Sequence, residues 1–221
     1  MLPLKLTVPK EITMTKKIIL ASTSKYRQAL LKRVGIAAEC VRPDYDETPV
    51  EGLKPAELVA YHAQNKAQAV VQKRMALDAL VIGSDQGLVF GDALIGKPGT
   101  VERAVEQLMR FAGNQCELVT ALYVYDTCAK KAWTHTDVTV LKFAALDERA
   151  IRAYVAWDMP LDCAGSFKIE SRGPELFDAV VTQEPTAIEG LPLMALCRIL
   201  RTITRNFGVG EVSPYAAIFR K

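Results

Sequence analysis

Three short stretches and two lysines of the 221-residue chain carry residue types that can do chemistry together. In Ala21-Ser22-Thr23-Ser24-Lys25-Tyr26-Arg27, small hydroxyl residues end an apolar run and open a helical pattern. Such a turn gathers free backbone N–H groups at the positive end of a helix dipole, and Arg27 adds a fork of donors. That is a phosphate cradle or, more plainly, a serine cap beside a surface arginine. Gly83-Ser84-Asp85-Gln86 puts a carboxylate where an apolar strand ends, the place where α/β sheets hold ligands. Asp85 suits a general base, a metal ligand or a simple cap, and Gln86 offers a donor and an acceptor to a heterocycle edge. Asp44-Tyr45-Asp46-Glu47 is an acidic loop, either solvated or able to hold a hard divalent cation through oxygen. Lys97 can aim a cation at a phosphate, whereas Lys66 reads locally as a solvated helix lysine.

Other features lead nowhere. Gly91-Asp92-Ala93-Leu94-Ile95-Gly96-Lys97 has the glycine and lysine spacing of a P-loop, but Pro98 stands where a magnesium-holding hydroxyl belongs. Gly91-Asp92 between apolar runs is a hairpin turn instead. The stretch Cys163 to Glu170 lacks the spacing of a nucleophile elbow. His62 and His135 read as ordinary helix and strand residues. The five cysteines are scattered without a Cys-x-x-Cys pair, which excludes a disulfide framework or zinc site and fits reduced thiols in the cytoplasm.

The elements that must position these groups follow from periodicity. Residues 17–21 form a strand, 25–34 a helix stopped by Gly35, and 36–41 a second strand. Pro55 opens a helix to about Arg74. An apolar strand over 79–83 runs into Ser84-Asp85-Gln86, and a hairpin pairs 88–90 with 93–95. A helix over 101–111 precedes two long antiparallel strands, 117–125 and 132–143. Asp147 caps a helix to Trp157. Residues 161–173 are mixed loop, 176–181 a strand and 192–204 a last amphipathic helix. The fold class is α/β, a mixed central sheet with flanking helices and two lobes around a substrate cleft, in one domain over residues 1–221. Residues 1–15 are a leader outside the working core, with Met14 an alternative start, and the tail from 206 has no assigned role.

With 28 basic and 25 acidic residues interspersed, the net charge of +3 is a solubility balance. It is not the stripe of a nucleic-acid binder, and no apolar run is long enough to span a membrane. The sequence leaves the choice between monomer and homodimer open.

Taken in order, ILASTSKYR, DYDETP, the Gln-Asn-Lys-Ala helix, GSDQ, GKP, CAGSFKIE and GLPLMAL resemble the Maf family of nucleotide pyrophosphatases over roughly 17–200. GSDQ in place of GADT, and AGSFKIE in place of AGAYGIQ, are similar to the YceF-like subgroup, the 7-methyl-GTP pyrophosphatases. The resemblance implies an α/β fold with a cleft between lobes and a divalent cation, Mg2+, Mn2+ or Co2+, as cofactor. It makes Asp85 the proton acceptor, and places Ser22, Ser24, Arg27, Lys66 and Lys97 on phosphate positions and Glu47 on a metal position. Tyr26, Gln86 and Glu170 fall where base specificity is set. Two departures stand out: Lys25 and Gln28 replace the Pro and second Arg of Ser-Pro-x-Arg-Arg, and the stretch 181–188 differs from the family's Asn-containing segment.

The expected reaction is attack of water on the α-phosphorus of 7-methyl-GTP, releasing pyrophosphate and 7-methyl-GMP and clearing a modified nucleotide from the pool. Glu170 would accept from the guanine edge and favour its methylated, cationic form, with Tyr26 stacking on the base. The alternatives are a dTTP/UTP pyrophosphatase of the same family and a nucleotide-binding cell-division regulator without turnover.

Overall fold

The computed structural model describes residues 16–48, 50–73 and 78–206. The leader, the tail beyond Asn206 and the end of the second helix at Arg74 lie outside them. One mixed sheet organises the rest. Its strands are β1 (Lys17–Leu20), β2 (Glu39–Cys40), β3 (Ala79–Phe90), β4 (Ala93–Ile95), β5 (Gln115–Asp126), β6 (Lys131–Phe143) and β7 (Phe177–Val181). They lie in the order β2-β1-β3-β5-β6-β7, with β4 paired to β3. β1 runs parallel to β2 and β3, and the other pairings are antiparallel.

Alternation along β3 sends successive side chains to opposite faces. On one face Leu80 and Ile82 join Leu20, Leu122 and Val124 beneath α1 (Lys25–Arg33) and α5 (Leu193–Asn206). On the other, Val81 joins Ile19, Val119 and Ala121 against Val59, Ala63 and Ala67 of α2 (Pro55–Lys73). Farther along the long strands, Leu88, Leu118 and Leu141 pack with α3 (Val101–Phe111) and α4 (Glu148–Asp158). The helices thus pack in three groups around shared strands, α1 with α5, α2, and α3 with α4, in agreement with a mixed α/β fold.

Caps fix the helix starts. Ser24, Thr100 and Asp147 accept hydrogen bonds from the backbone N–H groups of Arg27, Arg103 and Ala150 at the heads of α1, α3 and α4. The hairpin at Gly91-Asp92 forms as expected, with Leu88 opposite Ile95, and this confirms the rejection of the P-loop. No helix among the described residues is long and apolar enough to cross a membrane.

Two expectations need correction. The strand over 36–41 shrinks to Glu39–Cys40, because Ile36 turns into the core beside α1 instead of pairing. More important for function, β3 does not stop at Gly83 but continues unbroken through Asp85 to Phe90. The antiparallel partner β5 runs beside it from Leu80↔Asp126 to Val89↔Glu117 and carries it through the polar residues.

Candidate active site

The site lies at a gap in the sheet. β1 pairs with β3 only over residues 79–82, and β4 pairs only from Leu88 onward. Between them one edge of β3, residues 83–87, is left without a strand. Asp85 leaves the strand there toward α2 and Gln86 toward the opposite face, yet both line one cavity of about 370 Å³.

Lys66 is buried on α2 and points its Nζ between two carboxylates. It lies 2.5 Å from Asp85 Oδ1 and 2.7 Å from Glu47 Oε1. The local reading of Lys66 as a solvated lysine is therefore wrong: the 19-residue separation from Asp85 is closed by packing. Gly83 makes this approach work, since a Cβ there would stand 2.1 Å from the Ala63 carbonyl oxygen. A side chain at 83 would push α2, and Lys66 with it, off the strand. The second carboxylate oxygen of Asp85 takes no hydrogen bond among the described residues and is not fully buried. It faces the cavity as a free acceptor.

The turn after β1 supplies the next group. Arg27 donates from Nε to the Gly190 carbonyl at 2.8 Å and from Nη1 to Ser22 Oγ at 3.3 Å. Desolvation lowers the guanidinium pKa, against the opposing pull of the Asp85 and Glu47 charges. Ser24 lines the cavity while capping α1, whereas Ser22 stands behind Arg27 and does not line it. Burial alone would raise the Glu47 carboxyl, but the hydrogen bond and charge of Lys66, with Lys97 nearby, hold it below the usual range. Lys97 lines the cavity, is exposed, and has no carboxylate at ion-pair distance among the described residues.

Around Tyr26 the chemistry changes sign. Its hydroxyl lies 4.0 Å from Cys163 Sγ. Burial, and then the charges of Cys163, Asp162 and Glu170, push the phenol well above its ordinary range. Glu170 is raised too, first by desolvation and also by the neighbouring charges of Glu189 and Asp158. Burial likewise pushes the Cys163 thiol up to about 12, which makes it inert.

Gln86 does not offer both of its polar atoms. Its Nε2 donates to the carbonyls of Ala187 and Ile188, at 2.7 and 3.3 Å, and to Thr120 Oγ1 at 3.0 Å. Carbonyl oxygens only accept, so the amide nitrogen is committed inward and Oε1 alone is left for a ligand. The acceptors belong to a 3₁₀ turn, Pro185–Glu189, that the sequence reading missed. Ser84 and Thr120, both fully buried, hold the same turn through Gly190 and Ala187. It ends at Gly190, whose φ of +103° suits glycine. His62, Asp162 and Glu189 are further lining residues that no local pattern singles out.

No group of three or more His, Cys, Asp or Glu side chains that could hold a metal occurs among the described residues. Glu47, half exposed beside Lys66, offers one carboxylate to the cavity. This fits a magnesium-type ion, which is bound by one or two carboxylates and completes its shell with substrate phosphates and water.

Known proteins are similar to this chain over most of its length. A protein of Burkholderia lata named 7-methyl-GTP pyrophosphatase is 45% identical over 195 residues, covering 88% of this chain and 93% of that one. Proteins of the same name from Bdellovibrio bacteriovorus and Idiomarina loihiensis are 44% and 40% identical, covering 84% and 86% of this chain and 96% of each relative. A solved nucleoside-triphosphatase from Mycobacterium abscessus, 14% identical with a TM-score of 0.42 and covering 88% of this chain and 98% of its own, is too distant in shape to add to them. The Maf-like protein family matches residues 17–203, which takes in every lining residue of the cavity, and the chain belongs to that family.

Proposed function

We propose that the chain is a cytoplasmic nucleoside triphosphate pyrophosphatase that hydrolyses 7-methyl-GTP to 7-methyl-GMP and pyrophosphate. The observation that carries this reading is the division of charge in a single cavity. Arg27, Lys66 and Lys97 line it beside Glu47 and Asp85, and so do Asp162, Glu170 and Glu189, the last of these ion-paired with Arg33. A substrate that is anionic at one end and cationic at the other matches both groups. A triphosphate on a base made cationic by methylation has that form. The names of the relatives from three genera support the same substrate. Five free cysteines support a reducing compartment.

Arg27, Lys66 and Lys97 screen the phosphate charges so that a nucleophile can approach. Ser22 and the Gly190 carbonyl hold the Arg27 fork in place, and Ser24 adds a hydroxyl and the head of α1. The free oxygen of Asp85 takes a proton from water as its oxygen attacks the α-phosphorus. The bond from that phosphorus to the α,β-bridging oxygen breaks, and pyrophosphate leaves with the electron pair. Glu47 would hold a divalent cation, Mg2+, Mn2+ or Co2+, which would supply further neutralisation of the phosphates. Tyr26 stacks on the base, Glu170 accepts from its edge and complements its charge, and Gln86 presents Oε1 to an N–H donor.

Chromatographic identification of products tests the bond assignment. 7-Methyl-GMP and pyrophosphate in equal amounts are expected. 7-Methyl-GDP and orthophosphate would place the attack on the γ-phosphorus and overturn the reading.

A further inference from the structure

Tyr45 and His62 belong to no part of the mechanism above, yet they stand beside it. His62 and Lys66 are four residues apart on α2, so they share one helix face, and both are buried there. Tyr45 and Glu47 are two apart on the acidic loop. Tyr45 is partly buried and Glu47 exposed, and each reaches α2, Tyr45 at His62 and Glu47 at Lys66. The spacings match across the gap. The Tyr45 hydroxyl and His62 Nδ1 share a hydrogen bond of 2.7 Å, and Lys66 Nζ meets Glu47 Oε1 at 2.7 Å. The rings of Tyr45 and His62 also touch, with centroids 5.8 Å apart.

We propose that the Tyr45–His62 hydrogen bond is the second half of a two-point clip that presents Glu47 beside Lys66 and Asp85. This makes Tyr45 and His62 positioning residues for the triphosphate group of the cavity. The Glu47 side chain is half exposed on a loop without regular secondary structure. One ion pair fixes a distance and leaves the carboxylate free to swing about Lys66. A second contact, two residues upstream, removes that freedom before substrate arrives, so the ordering cost is met in the fold. His62 thus acts through Glu47, and its ring need not touch substrate. The inference rests on the pyrophosphatase reading for its kinetic consequence, but not for the clip itself.

Two measurements test it. The first is kcat and KM, on the triphosphate the wild type turns over fastest, for Tyr45→Phe, His62→Leu and the double variant. Each single change is expected to lower kcat about fivefold, with the double variant no worse than either, the signature of residues acting as one unit. Tyr45→Phe should cost nothing further in a Glu47→Gln background, and His62→Asn should recover most of the loss by keeping an acceptor near Nδ1. Losses that multiply, or that persist without Glu47, would show a role independent of Glu47 and overturn the proposal. The second is amide hydrogen exchange, which needs no turnover. Exchange across residues 44–48 should quicken in Tyr45→Phe and His62→Leu while the rest of the sheet keeps its protection. Unchanged protection there would mean that no clip exists. Absence of pyrophosphate release from every triphosphate, with quickened exchange, would sink the pyrophosphatase reading and leave the clip standing.

Discussion

Lys66 Nζ lies 2.5 Å from Asp85 Oδ1, and a lysine buried on α2 thereby holds one oxygen of a carboxylate carried on the middle of β3. The contact splits the two oxygens of Asp85 between tasks. One is fixed by the cation and the other looks into the cavity. The arrangement suits the proposed general base, because its direction is set before water arrives.

Asp85→Asn keeps the shape of the side chain and loses the proton acceptor. Lys66 retains Glu47 as a counter-charge, so its burial remains compensated and the fold should survive. Turnover is expected to fall by about a hundredfold or more, with a thermal midpoint close to wild type. Full activity in the folded variant would remove Asp85 from the proton transfer.

Lys97 is exposed and without an ion-pair partner among the described residues, so Lys97→Ala should leave stability within about 0.5 kcal/mol of wild type. A phosphate contact does not read the base. kcat/KM should therefore fall by a similar factor, on the order of tenfold, for every triphosphate tested. A loss confined to one base would move Lys97 to the base-reading group.

Glu170→Gln keeps the size and one acceptor but removes the charge. The preference for 7-methyl-GTP over GTP should shrink on the order of tenfold, for about 1.4 kcal/mol of differential interaction. Steady-state kinetics on both substrates decides it. An unchanged ratio would mean that Glu170 does not read the charge of the base.

The same variant has a stability signature. Desolvation first, and then neighbouring carboxylates, raise the folded-state pKa of Glu170 above its unfolded value. The native state therefore binds the proton more tightly, and its stability falls as pH rises between the two values. Above the folded-state value the cost is fully present, so Glu170→Gln should melt above wild type there. The gain should shrink as pH drops into the ordinary glutamate range, and thermal melts across pH 4 to 8 would reveal it. A variant less stable at pH 7 would contradict the assignment of strain to this carboxylate.

Most of the fold was legible locally. Apolar spacing and capping residues placed α1, α3 and α4 within a residue or two, because those signals are local. The strand through Asp85 was not legible: Ser84, Asp85 and Gln86 read as a strand ending, and only pairing with β5, more than thirty residues away, continues it. The roles of Lys66 and Gln86 were hidden for the same reason. Their partners lie 19 and about a hundred residues distant, and nothing in Gln-Asn-Lys-Ala announces a buried ion pair. His62 reads from periodicity as an ordinary helix residue, and it lies buried on α2. That placement was right, but its partner Tyr45 lay on a loop that periodicity does not describe.

Thr120 is the buried link between β5 and the turn that orients Gln86. It donates to Ala187 and accepts from Gln86. Thr120→Val keeps the volume but takes one of two side-chain donors from the Ala187 carbonyl and one of three acceptors from Gln86 Nε2, so unfolding experiments should show a loss of about 1 kcal/mol. A variant as stable as wild type would mean that the turn is held without it.

The central claim is that this cavity selects a triphosphate whose base carries positive charge. Parallel measurement of kcat/KM for 7-methyl-GTP, GTP, dTTP and UTP by pyrophosphate release, with magnesium present, tests it most directly. 7-Methyl-GTP should lead, by on the order of tenfold or more over GTP and ahead of both pyrimidine nucleotides. Equal or faster turnover of GTP, dTTP or UTP would contradict the account.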